Sequence, residues 1–126
     1  MIKKLLLGIL LGFMMLPAFA GTPNYIYLGE YVGSSGNKYI DYYDSTSIQT
    51  HENGVVSVAA KQLLENTGEI RYYVFVVNCP EHLYMWGRVI NAYTPNPQIS
   101  EHSDIRPIKI GTDGAAFERV LCSTQV

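Results

Sequence analysis

Glu69-Ile70-Arg71-Tyr72-Tyr73-Val74-Phe75-Val76-Val77-Asn78-Cys79 is the most hydrophobic run of the chain beyond its first twenty residues. Side chains alternate across a strand, so Ile70, Tyr72, Val74 and Val76 share one face and Tyr73, Phe75, Val77 and Cys79 the other. β-Branched and aromatic residues fill both rows, as they do in the middle of a sheet. A strand that is apolar on both faces needs a layer over each of them. The run therefore predicts a central strand with two separate covers, and the rest of the chain must supply them.

The neighbours of this strand follow in both directions. Pro80 and Glu81 turn the chain, and His82 to Tyr93 returns as a partner strand. On the other side, Val55 to Leu64 is a strand, joined through the turn Glu65-Asn66-Thr67-Gly68 and preceded by the hairpin signal Glu52-Asn53-Gly54. Tyr25 to Val32 alternates, with Tyr25, Tyr27 and Tyr31 on one side and Ile26, Leu28 and Val32 on the other. Gly33-Ser34-Ser35-Gly36-Asn37 links it to a strand over Lys38 to Tyr43. Asp44-Ser45-Thr46-Ser47 is a tight turn, because short polar side chains bond nearby backbone groups. Thr94 to Ser103, with Pro95 and Pro97, reads as a loop; Ile105 to Ile110, broken by Pro107, is at best an edge strand.

Near the C-terminus the period changes. Thr112 or Asp113 can cap a helix that runs through Ala115, Ala116, Phe117, Glu118, Arg119, Val120 and Leu121. Phe117, Val120 and Leu121 share a side and form a docking face. A helix this short is marginal in water on its own. Cys122 at its end offers a tether.

The first twenty residues bear on that tether. Lys3 and Lys4 precede an apolar stretch from Leu5 to Leu16, and Ala18-Phe19-Ala20 places small residues at −3 and −1 of a junction before Gly21. This is the pattern of a secretory signal peptide. Its apolar core is short of the roughly 20 residues that span a bilayer. The reading divides the chain into a leader, residues 1–20, and one domain, residues 21–126. An exported domain with two cysteines, Cys79 and Cys122, has one pairing open to it in an oxidising compartment. A bond there puts the helix on the Tyr73, Phe75 and Val77 face. The Tyr72, Val74 and Val76 face must then lie against another layer, a partner subunit or a ligand. The fold class is α+β: an antiparallel sheet of about six strands with one short C-terminal helix held by a disulfide.

Charge and motifs exclude several functions. Without the leader, seven basic residues face eleven acidic ones, a net charge of −4 with the basic residues scattered. That is not the footprint of a nucleic-acid binder, nor is there a basic run to hold an anionic membrane. His51, His82 and His102 stand at no metal-binding spacing, and no G-x-S-x-G elbow or C-x-x-C pair is present. Asp41 and Asp44 are three apart at a strand end, where Asp44 suits a turn cap better than an acid. Tyr72, Tyr84, Trp86 and Tyr93 form an aromatic set suited either to sheet packing or to a binding surface.

Several landmarks occur in a telling order: Tyr43-Asp44-x-x-Ser47-Ile48, Gly54-Val55-Val56-Ser57-Val58, Val77-Asn78-Cys79, Arg106-Pro107-Ile108 before Gly111, and Leu121-Cys122. In this order, and across the whole of residues 21–126, the chain resembles the surface-adhesin protein E family of Gram-negative bacteria. The resemblance implies a curved antiparallel sheet with a C-terminal helix held on one face, and it carries over Cys79 and Cys122 as the disulfide. It also implies binding of host matrix and serum proteins, and dimers. No cysteine follows the leader, so a lipid anchor does not carry over, and no binding residue does either.

The expectation is an exported, non-enzymatic binding domain of that type, in the periplasm or at the cell surface. It needs no cofactor or metal and has no membrane insertion once the leader is cleaved after Ala20. Its partner is another protein or a second copy of itself, met through Tyr72, Val74 and Val76. The alternative is a soluble periplasmic inhibitor or small-ligand carrier.

Overall fold

A computed structural model describes Phe19, residues 21–33 and residues 35–123. Phe19 apart, the segment read as a leader lies outside the described residues, as does Ser34 of the first turn. The strands are β1 (Tyr25–Val32), β2 (Lys38–Asp44), β3 (Gln49–Thr50), β4 (Val55–Leu64), β5 (Ile70–Asn78), β6 (Leu83–Ile90), β7 (Gln98–His102) and β8 (Arg106–Pro107). One helix follows, α1 (Asp113–Cys122). All eight strands belong to one antiparallel sheet in the order β1-β2-β4-β5-β6-β7. β3 shares the edge of β4 with β2, and β8 shares the edge of β6 with β7. The sheet thus has about six lanes, as the sequence predicts, with two of them broken.

Buried serines bridge both breaks. Between β2 and β3, Asp44 caps a 3-10 turn over Ser45–Ser47, its Oδ1 accepting from the Thr46 amide and hydroxyl. The Ser47 hydroxyl donates to the Asp44 carbonyl and accepts from the Ala59 amide at 2.8 Å, standing in for the missing strand. Between β7 and β8, the Ser103 hydroxyl accepts from the Trp86 amide at 3.0 Å and donates to the Asp104 carbonyl. The Ala59 amide would otherwise be left buried and unpaired, which costs about 1–3 kcal/mol.

β5 takes the central place expected of it, paired with β4 over Ile70–Asn78 and with β6 over Tyr72–Asn78. α1 covers the predicted face. Phe117 stacks on Phe75 at 3.9 Å between ring centroids, and Leu121 packs with Val56, Val58 and Val77. Thr112 is the cap, its hydroxyl accepting from the Ala115 amide. Gly114 lets the first turn approach Tyr84, because a Cβ there would lie 3.0 Å from the ring. The Cys79–Cys122 disulfide ties the end of α1 to the end of β5.

Three expectations change. The partner strand β6 ends at Ile90, so Tyr93 lies in the connection that follows and not in the strand. Gln98–His102 forms β7 inside the stretch read as a loop. Tyr31 does not share a side with Tyr25 and Tyr27: a bulge between Tyr27 and Gly29 shifts the register, so that Tyr31 pairs with Tyr39 on the helix face. An extra residue in one strand reverses every side chain beyond it.

Candidate functional site

The second face of the sheet carries the residues singled out as an interaction face. Along β5 it presents Tyr72, Val74 and Val76; along β4, Val55, Ser57, Ala59 and Lys61; along β6, Met85, Gly87 and Val89. β2 adds Tyr42 opposite Lys61, and β1 adds Tyr25 and Tyr27. Val74 and Val76 are 3% and 0% exposed, while Tyr72 is half-buried.

Their cover comes from two places. Ala92 and Tyr93, in the connection after β6, pack against the cluster, as do Ile99 of β7 and Ile105 before β8. The other cover is Phe19, at 1% exposed the most deeply set aromatic ring on this side. Its ring meets Tyr93 at 5.4 Å and Tyr72 at 6.3 Å, both edge to face, and Tyr72 and Tyr93 meet each other in the same way at 5.5 Å. Edge-to-face pairs at such distances are favoured by the ring quadrupole, by about 0.5–1.5 kcal/mol each beyond burial.

Tyr93 is held under constraint. Its φ is +61°, in the left-handed region that bulky residues seldom adopt. Its hydroxyl is hydrogen-bonded to that of Tyr25, and burial, then this bond, raises the Tyr25 phenol above its ordinary value. Lys61 Nζ lies 4.4 Å from the centroid of Tyr25 and 5.2 Å from that of Tyr42. The result is a floor from the three central strands that is apolar apart from Ser57, an aromatic wall, and Lys61 at the rim. Backbone strain of this kind tends to gather where a surface binds something.

The aromatic set divides. Tyr72 and Tyr93 stand together on this face, whereas Tyr84 and Trp86 pack on the helix face, Trp86 edge-on to Tyr73 at 5.5 Å. Sequence reading did not place Phe19, Tyr25 or Lys61 here. The alternation of β1 and the pairing of Lys61 with an aromatic partner could have suggested the last two.

The other candidates disperse. Asp44 is a turn cap, as expected, and its Oδ1 also accepts from the Asn24 amide. Asp41 lies on the opposite face, 3% exposed, where Gln62 donates to its Oδ1 at 2.9 Å; Oδ2 has no hydrogen-bond partner among the described residues. Burial pushes the Asp41 carboxyl up to about 7, and the nearby Asp113 carboxylate adds to the rise. His51 bonds the Ser57 hydroxyl, His82 the Glu118 carboxylate and His102 the Ser103 carbonyl. Among the described residues no three His, Cys, Asp or Glu side chains gather as metal ligands. Two clefts lie elsewhere: one of about 340 Å³ lined by Tyr84, Arg106, Pro107, Lys109 and Thr112, and one of about 160 Å³ beside Gln62, Tyr73 and Asp113. No described helix is long and apolar enough to cross a membrane.

The chain matches no family model, no curated protein and no solved structure.

Proposed function

We propose that the protein is exported and acts without catalysis, as a binding domain of the surface-adhesin protein E type, through the Tyr72, Val74 and Val76 face. One observation carries this reading. The ring that seals the face, Phe19, belongs to the segment with the signal-peptide pattern, one residue before its Ala20 junction. Cleavage there removes the seal and leaves an apolar surface for a protein partner, the kind of patch that marks interaction sites. The Cys79–Cys122 bond is compatible with an oxidising compartment. The resemblance in motif order supports the family, and the dispersal of the histidines and carboxylates favours binding over catalysis.

Cell fractionation with intact-mass analysis tests this. The expected product begins at Gly21, carries no lipid, and is soluble in the envelope fraction or reached by protease on intact cells. Cleavage by protease on intact cells supports adhesion, and retention in the periplasm supports the inhibitor or carrier. A chain that keeps its first twenty residues overturns the reading.

A further inference from the structure

We propose that the hollow filled by Phe19 is a receptor site for an aromatic side chain on a peptide segment of the partner, blocked in the precursor and opened by removal of the leader. The inference rests on the export reading above and names what the exposed face takes.

Phe19 shows the chemistry of the occupant. Its ring is almost fully buried, and it contacts two tyrosine rings edge to face above the valines of β5. The floor is Val55, Ala59, Val74, Val76, Met85 and Val89, and the buried Ser57 among them has its hydroxyl already bonded to His51, so the site asks for no polar group. An aliphatic side chain would fill volume but forgo the quadrupole contacts with Tyr72 and Tyr93. The occupant is also a side chain on a backbone, so the mouth of the hollow admits a peptide.

The site remains shaped when Phe19 leaves. Its floor lies on β4, β5 and β6, the central strands, which are paired on both edges. Its wall, Tyr93, is fixed by the hydroxyl bond to Tyr25, and Tyr25 in turn lies under Lys61. An apolar cavity lined by ordered side chains stays poorly hydrated and accepts an apolar guest. Because Phe19 lies just before the Ala20–Gly21 junction, one cut creates the mature chain and vacates the site.

The test uses the processed protein purified from the cell envelope and a capped peptide of residues 16–20, Leu-Pro-Ala-Phe-Ala, with its Phe→Ala counterpart and capped phenylalanine as probes. Methyl resonances of Val74, Val76 and Met85 report occupancy. The expected result is saturable shifts at these three methyls with the Phe peptide. The Phe→Ala peptide should bind at least tenfold more weakly, as loss of a buried ring requires. Tyr72→Ala should weaken the Phe peptide while leaving the circular dichroism spectrum unchanged. Equal binding of the two peptides, shifts confined to other methyls, or no binding overturns the proposal. So does capped phenylalanine binding as tightly as the peptide, which would make the site one for small aromatic molecules. A second copy of the chain that occupies the face and is not displaced by the peptide also overturns it. Intact mass separates the two levels: a start at Gly21 without binding removes only this inference, whereas retention of Phe19 removes the export reading and the vacancy together.

Discussion

Asp41 shows how one residue can set the pH response of the whole fold. Its carboxyl lies beneath the helix, with Gln62 on one oxygen and no hydrogen-bond partner for the other among the described residues, and it faces Asp113 of α1. Tyr31 and Arg119 complete the group that feels these charges. In the folded chain burial raises the carboxyl from 3.8 to about 7. The folded state therefore holds a proton there that the unfolded chain releases, and stability falls as pH rises from about 4 to 7. Asp113 is raised in the same direction by its own burial. His51, lowered by burial, acts oppositely in the acid range, so a difference between variants isolates the Asp41 contribution. Asp41→Asn should flatten the loss between pH 5 and pH 8 and stabilise the protein at pH 8 by a few kcal/mol, at most about 4. Urea unfolding at the two pH values measures it; parallel curves for the two proteins would contradict the assignment.

At the scale of elements, the disulfide and the helix depend on each other. α1 has ten residues, too few to hold itself in water, and its stability comes from Phe117 and Leu121 docking on β4 and β5. The Cys79–Cys122 bond restricts that element in the unfolded chain as well. Cys122→Ser should cost about 2–5 kcal/mol. The loss should appear first as faster amide exchange in α1, with β5 remaining protected. A variant as stable as the parent, or one in which the sheet opens before the helix, would contradict this coupling. The elements also show what sequence can and cannot reveal. β5 was legible because both of its alternating rows are apolar, and α1 because its period differs and a threonine caps it. β7 was hidden: it is an almost wholly exposed edge strand beside Pro95 and Pro97, and its pairing with β6 is set by tertiary structure. The Tyr31 reversal was hidden as well, since a one-residue bulge leaves the alternating pattern of β1 intact to the eye.

For the whole molecule, the two faces of the sheet differ in what covers them. The helix face is closed by a tethered element of the domain. The Tyr72 face is closed by the connection after β6 and by Phe19, a ring from the segment read as a leader. The need for a second cover could be read from Tyr72, Val74 and Val76. Its source could not, because the leader pattern treats Phe19 as part of a cleavage signal and says nothing of its packing against a domain. On the proposed export reading, removal of residues 1–20 uncovers this face. Met85 reports on it directly: it is 3% exposed within the Phe19 cluster, and it is the sole methionine between Gly21 and Val126. The measurement is the rate of Met85 oxidation by dilute peroxide, followed by the mass of the peptide that carries it, because the uncleaved chain also holds Met1, Met14 and Met15. It compares the processed chain with one that keeps Phe19 because Ala20→Leu blocks the junction, both in the same mild detergent. Oxidation of Met85 should be severalfold faster in the processed chain; equal, slow oxidation in both would mean that the face stays closed without Phe19 and would contradict the proposal.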